Sequence, residues 1–130
     1  MVDLELITAA LEARNHAYAP FSRFLVGAAL KDSEERIHTG CNIENATYGL
    51  TICAERVALF KAVSEGVRKF MKIGIAADTE ELTPPCGACR QILWEFCGDI
   101  EITLVNLNGK SEILHLGTLF PRAFDAGFLR

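Results

Sequence analysis

Two short cysteine motifs constrain this chain more than anything else in it: Cys53-Ala54-Glu55 and, thirty residues on from Glu55, Pro85-Cys86-Gly87-Ala88-Cys89. Three thiolates drawn from two segments can serve one metal ion only if the fold brings both segments to one place. A structural zinc site normally closes with four protein ligands, whereas a catalytic one stops at three and keeps a position for water. Glu55, two residues from Cys53, is then the natural group to move protons to and from that water. The spacing therefore points to a catalytic metal centre.

Two plainer readings compete. A lone C-x-x-C in an α/β protein also suits a thioredoxin-like redox pair, but such a pair needs no third cysteine followed by a glutamate. A closed structural zinc needs a fourth ligand. Cys97 is a poor one, because eight residues past Cys89 along a helix is roughly 12 Å of rise. Cys41, His16, His38 and His115 stay open on spacing alone, and the three histidines carry no motif.

The 130 residues suit one domain, spanning 1–130, with half its residues hydrophobic and no repeat. A net charge of -4 without a basic run argues against a nucleic-acid partner. The count of five cysteines is odd, and three already belong to the metal motifs. The N-terminus carries Asp3, Glu5 and Glu12 and lacks the apolar stretch of a signal peptide. A reducing, cytoplasmic setting is expected. The longest apolar stretch, around Phe24 to Leu30, is far too short to span a bilayer, so no membrane partner is expected.

Apolar spacing predicts a first helix from about Asp3 to Ala17, ending before Pro20. Strands at Phe24 to Leu30 and Arg36 to Asn42 flank a polar turn and read as a hairpin. A helix from about Thr51 to Glu65, apolar on most sides, should be buried and capped by Gly66. Ile73 to Ala77 is continuously apolar, the mark of a central strand covered on both faces. Gly87 to Phe96 reads as a helix stopped by Gly98. Strands at Ile100 to Val105 and Glu112 to Leu116 flank Asn108-Gly109, a hairpin signal, and a short helical tail begins near Gly117. The sum is an α/β fold, a mixed five-stranded sheet with helices packed on it. Both cysteine motifs then open helices, where free N–H groups and partial positive charge favour thiolates.

Four stretches in order carry a resemblance: Phe24-Leu25-Val26-Gly27-Ala28-Ala29-Leu30, Gly40-Cys41-Asn42-Ile43-Glu44-Asn45-Ala46-Thr47-Tyr48-Gly49, Cys53-Ala54-Glu55-Arg56 and Pro85-Cys86-Gly87-Ala88-Cys89-Arg90-Gln91. The last two match the established signature of zinc deaminases, H-x-E with P-C-x-x-C, in its all-cysteine variant. Taken together, the four closely resemble the small homotetrameric cytidine deaminases, from the first helix to Phe124. The resemblance implies a three-layer α/β/α fold and one Zn²⁺ per chain, held by Cys53, Cys86 and Cys89. It implies hydrolytic deamination of cytidine and 2′-deoxycytidine to uridine and 2′-deoxyuridine with loss of ammonia, a step of pyrimidine salvage. Glu55 would be the proton shuttle, Asn42 and Glu44 would hold the ribose, Phe24 would pack on the pyrimidine and the backbone of Ala54 would contact the base. Tyr48 and Phe124 match positions that help build a neighbouring subunit's site. Leu119-Phe120-Pro121 departs from the family's usual Leu-Leu-Pro.

The residues support parts of this independently. Asn42 and Glu44 lie two apart at a strand end, so in extended backbone their side chains face the same way. An amide and a carboxylate there suit sugar hydroxyls, and so a nucleoside over a free base, though by themselves they read equally well as solvated polar residues at a strand end. Cys41 and Cys97 read as small buried hydrophobes. Three thiolates on Zn²⁺ leave a negative centre, which acidifies water less well than a site of neutral histidines. Arg56, three residues past Cys53, is close enough along a helix to offset that charge, and Arg90, beside Cys89, is a second candidate. A homotetramer is expected on physical grounds too, because Phe120, Phe124 and Phe128 crowd apolar surface into the tail.

Overall fold

The computed structural model describes residues 1–129. Its five strands are β1 (Val26–Asp32), β2 (Ile37–Cys41), β3 (Phe70–Ala77), β4 (Glu101–Val105) and β5 (Ser111–His115). They form one sheet in the order β2-β1-β3-β4-β5. Pairing is antiparallel except between β3 and β4, so the sheet is mixed, as its sequence predicts. The helices are α1 (Leu4–Arg14), α2 (Ala54–Ser64), α3 (Gly87–Cys97) and the short α4 (Leu116–Leu119).

The period-2 alternation of strand side chains sorts the core into two layers. Ala28, Leu30, Ile73, Ile75, Ile102 and Leu104 point to the face covered by α2 and α3, where they meet Ala58, Leu59 and Leu93. Ala29, Ala76 and Val105 point the other way, against Leu6 and Ala10 of α1. The architecture is therefore the expected α/β/α sandwich. Fully burying a side chain such as Leu59 contributes roughly 1.5–3 kcal/mol.

Two glycines set how closely the helices approach. A Cβ on Gly40 would lie 2.5 Å from the backbone nitrogen of Ala58 and 2.6 Å from the carbonyl oxygen of Ala54. Only glycine lets α2 lie so tightly on β2. A Cβ on Gly27 would run into the backbone of Ala10 and Arg14 in the same way, on the α1 side.

Topology explains why the two cysteine motifs meet. β2 and β3 each run antiparallel to β1, so they run in the same direction. α2 follows β2, and α3 follows β3. Both helices therefore begin at the same end of the sheet, outside the carboxyl ends of their strands, where open α/β sheets commonly bind ligands.

Most element boundaries fall within two or three residues of those expected. The helix expected from Thr51 starts later because Cys53 is its N-cap, in extended backbone with ψ 154°. β3 begins at Phe70, since pairing with β1 continues past a bulge at Asp32. Gly66 and Gly98 sit just past α2 and α3 with φ of 94° and 64°, as helix-ending glycines should. Of the three tail phenylalanines expected to add apolar surface, Phe120 does not. It packs on the core and sets its ring edge against Trp94 at 6.4 Å, while Phe124 and Phe128 stack on each other outside. No described helix is long and apolar enough to cross a membrane.

Candidate active site

Cys53 and Cys86 are the N-caps of α2 and α3, and neither sulfur is spent on a capping hydrogen bond. Cys89 lies in the first turn of α3 and is fully buried. The three Sγ atoms lie within 4.8 Å of one another, and Cys53 Sγ is 3.8 Å from Cys86 Sγ. Sulfurs at about 2.3 Å from a tetrahedral zinc are separated by about 3.8 Å, so the donor set fits that ion. Among the described residues this is the only such cluster, and it includes no histidine, Cys41 or Cys97. The closed four-ligand alternative therefore has no fourth group to use.

Electrostatics distinguish the thiols. The pKa of Cys53 is pulled down to about 5, first by the Cys89 thiol and then by Arg56, whose Nη2 donates to Cys53 Sγ at 3.2 Å. Cys89 is pushed upward, because it shares its proton with Cys53 and is buried beside that charge and Glu55. In the metal-free chain Cys53 thus ionises before Cys89. Burial alone lifts Cys97 to about 12 and holds Cys41 above its ordinary value, although both are only half-buried: Cys97 packs against the edge of the core and Cys41 lies outside it.

Glu55, on the first turn of α2, is 5 % exposed. Burial is the main cause that raises its carboxyl to about 7, with the charge on Cys53 adding to it. It faces a cavity of about 250 Å³ together with Phe24, Asn42, Ala54, Cys53 and Cys86. Glu44 and Ser22 line this cavity and also a second one, of about 400 Å³, which reaches Phe21 and Tyr48. A larger cavity of about 880 Å³ lies between the β1–β2 turn and the far end of α2. Helical rise puts it roughly 16 Å from the cysteines. Its most buried group, Asp32, is already bonded to Arg36 and His38, so the smaller cavity is the one with chemistry.

The pair expected to hold a sugar is itself held. Asn42 Nδ2 donates to the carbonyl of Phe24 at 2.6 Å, and its Oδ1 accepts from the Val26 N–H at 2.8 Å. One amide hydrogen and one lone pair are left over. Glu44 Oε1 accepts from the backbone N–H groups of Phe21 and Ser22, at 2.9 and 3.1 Å, and Oε2 accepts from the Ser22 hydroxyl. That hydroxyl is the main cause lowering the Glu44 pKa. The two residues thus pin the segment 21–26, including Phe24, to the cavity wall. Arg23, just before Phe24, has φ 60°, a conformation such a residue rarely adopts without tight surroundings.

Ser22 was invisible to motif reasoning, as were Thr51 and Thr83, which also line the cavity. The polar run between Pro20 and Phe24 reads only as a loop; its meaning appears once Glu44 is seen folding back on it. Arg90 departs from its expected place beside a sulfur. Its Nε donates to the Pro85 carbonyl at 2.8 Å and its Nη1 to the Leu119 carbonyl at 2.7 Å, so its guanidinium is spent on backbone. Tyr48 and Phe124 stand outside the cavity around Glu55, at 76 % and 53 % exposure.

The family model for the cytidine and deoxycytidylate deaminase zinc-binding region matches residues 1–104. A cytidine deaminase of Sporosarcina psychrophila is 50 % identical over 126 residues, covering 95 % of this chain and 93 % of the relative. One of Halalkalibacterium halodurans is 52 % identical over 122 residues, covering 93 % and 92 %. The crystal structure of cytidine deaminase from Burkholderia pseudomallei superposes with a TM-score of 0.91 at 45 % identity, over 95 % of this chain and 100 % of that one. With the zinc-fitting cysteines and the buried glutamate already in place on this fold, the chain belongs to the zinc-dependent cytidine deaminase family.

Proposed function

We propose that the chain, acting as one catalytic domain over residues 1–130, hydrolyses cytidine and 2′-deoxycytidine to the uridine nucleosides and ammonia. One observation carries this reading: a buried carboxyl and two thiols of a three-cysteine cluster face a cavity that is also lined by a half-exposed aromatic ring and an anchored amide–carboxylate pair. Cys53, Cys86 and Cys89 would hold zinc, which when bound supplies a Lewis acid that makes water a nucleophile at neutral pH.

The remaining chemistry belongs to the chain's own side chains. Glu55, with a pKa lifted by burial toward neutrality, suits a group that must both accept and return a proton. It takes the proton of the attacking water and passes it to ring N3 as C4 becomes tetrahedral, then moves the proton of the new C4 hydroxyl to the amino group, so that the C4–N bond breaks, ammonia leaves and the C4 carbonyl forms. Phe24 offers its ring to the pyrimidine. Ala54, at the first helical position, has an N–H with no partner within the helix and can bond the base. Glu44 accepts from a ribose hydroxyl, and Asn42 uses its leftover hydrogen and lone pair on the sugar. None of these groups distinguishes ribose from deoxyribose, so both nucleosides should react. Arg56 offsets the charge of the thiolates from 3.2 Å.

The cavity of one chain, about 250 Å³, is small and open to its surroundings. Ligand sites usually measure about 300–1,000 Å³ and enclose most of their ligand. That shortfall supports a homotetramer in which Tyr48 and Phe124 close a neighbour's site. The test of the activity is direct: ultraviolet absorbance falls as cytidine becomes uridine. A zinc-loaded protein that leaves cytidine unchanged overturns the assignment.

A further inference from the structure

We propose that Arg90 is a positioning residue, a brace that locks the Pro85-Cys86 loop to the chain's tail and so fixes the direction of the Cys86 sulfur. The inference rests on the reading of Cys86 as a zinc ligand and goes beyond it. Pro84 and Pro85 donate no backbone hydrogen bonds, so the loop that presents Cys86 cannot stiffen itself that way. Its carbonyls need a donor from elsewhere. Arg90 Nε supplies one to Pro85 at 2.8 Å. That carbonyl belongs to the same planar peptide as the Cys86 nitrogen, so holding it fixes the plane from which the Cys86 side chain departs.

The other edge of the guanidinium reaches Leu119, the last residue of α4, whose carbonyl Nη1 meets at 2.7 Å. A planar fork can bond two carbonyls at once, which a lysine ammonium on its flexible stem does not reproduce. Two further side chains of α3 extend the grip. Gln91 Nε2 donates to the Phe124 carbonyl at 2.8 Å, Trp94 Nε1 donates to Asp125 Oδ2 at 3.3 Å, and Phe120 packs on the Trp94 ring. Only Arg90 among them touches both the tail and the cysteine loop. Arg56 differs in kind, since its Nη2 bonds a sulfur.

The experiment compares zinc-loaded, full-length Arg90→Lys and Arg90→Gln with the parent. It follows zinc capture by a chromophoric chelator in excess, together with the pH dependence of kcat on cytidine. Outer partners of metal ligands are commonly worth about 10–100-fold in affinity, and faster release of that order is expected in both variants. Lysine should be no better than glutamine, and the pH profile should keep its position. Gln91→Ala, which cuts only the Phe124 contact, should release zinc like the parent. The proposal is overturned if Arg90→Gln holds zinc as the parent does, or if Arg90→Lys restores retention, because charge then suffices. It is equally overturned if Gln91→Ala accelerates release as much as Arg90→Gln.

Should neither Arg90 variant fold, Leu119→Gly is set against Leu119→Ala. Both lose the Leu119 isopropyl group that packs on the core, but only glycine frees the backbone that carries the braced carbonyl, and equal release from the two overturns the brace. A parent that binds no zinc overturns the functional reading and the brace together. A zinc-bound, active parent beside a zinc-retaining Arg90→Gln overturns the brace alone.

Discussion

Arg56 Nη2 donates to Cys53 Sγ at 3.2 Å, one helical turn along α2 from the cap that the cysteine forms. The bond places a fixed positive charge beside the Cys53 thiolate, and it contributes to the fall of the Cys53 pKa to about 5. Zinc with three thiolates is otherwise a negative centre and a poor acid for water.

Replacing Arg56 with Gln should therefore leave zinc bound but lower turnover at neutral pH and move the acid limb of the pH–rate profile upward. The shift follows from the lost positive charge, which makes water harder to deprotonate. Metal content by mass spectrometry and kcat across pH check both halves. An unmoved profile would mean that Arg56 binds the Cys53 sulfur without tuning the chemistry.

How far the sequence led can be judged from particular residues. The cysteine motifs are legible because metal chemistry fixes ligand type and spacing, and the helix start at Cys86 follows from Pro84-Pro85, whereas apolar periodicity alone starts the second helix at Thr51, ahead of its cap at Cys53. The central strand Ile73 to Ala77 was legible from its unbroken apolar run, and every residue of it is buried. What stayed hidden depends on contacts distant in sequence. Ser22 matters because Glu44, twenty-two residues on, folds back to it. Arg90 looked like a charge beside Cys89, yet a helix sends adjacent side chains in different directions, and this one points to Leu119. Phe120 read like its tail neighbours until Trp94 gave it a core partner.

Glu55→Gln should keep the fold and the zinc yet lose on the order of 10²–10⁴ in turnover, the usual scale for a removed acid–base group. The same change should alter the pH dependence of stability in the metal-free protein. Burial raises the folded-state pKa of Glu55 from 4.5 to about 7, so the folded chain binds its proton more tightly than the unfolded one. Stability from this group is present at low pH and lost as pH rises through that window. Glutamine cannot ionise and escapes the loss. Metal-free Glu55→Gln should thus gain on the parent as pH rises, by up to roughly 3 kcal/mol. Urea titrations of both proteins at about pH 5 and about pH 8 measure it; a constant difference would contradict the buried, raised carboxyl.

Ser22→Ala removes the hydroxyl that holds Glu44 Oε2, while the backbone bonds to Oε1 remain. The carboxylate should keep its place but lose part of its aim. A rise of several-fold in KM for cytidine with little change in kcat is expected, since the sugar lies away from the reacting carbon. Steady-state kinetics decide it. A loss confined to kcat would mean that the segment from Phe21 to Phe24 governs the chemistry and not the sugar.

Assembly gives the last prediction. Tyr48 and Leu50 are 76 % and 68 % exposed, and the stacked pair Phe124 and Phe128 stands at 53 % and 71 %. Isolated apolar side chains on a surface need no explanation, but two exposed aromatic pairs, Phe21 with Tyr48 and Phe124 with Phe128, do. Closed symmetric assembly covers such patches by pairing each with a copy of the chain, and it walls the cavity with residues one small domain cannot supply. The protein should therefore be a homotetramer whose activity falls when it dissociates. Tyr48→Ala and Phe124→Ala should weaken assembly and raise KM together, although neither residue lies in the cavity around Glu55 of its own chain. Light scattering across a dilution series, read beside specific activity at each concentration, tests the link. A monomer that is fully active at low concentration refutes both the assembly and the shared site, and leaves Phe24, Asn42 and Glu44 to enclose the nucleoside by themselves.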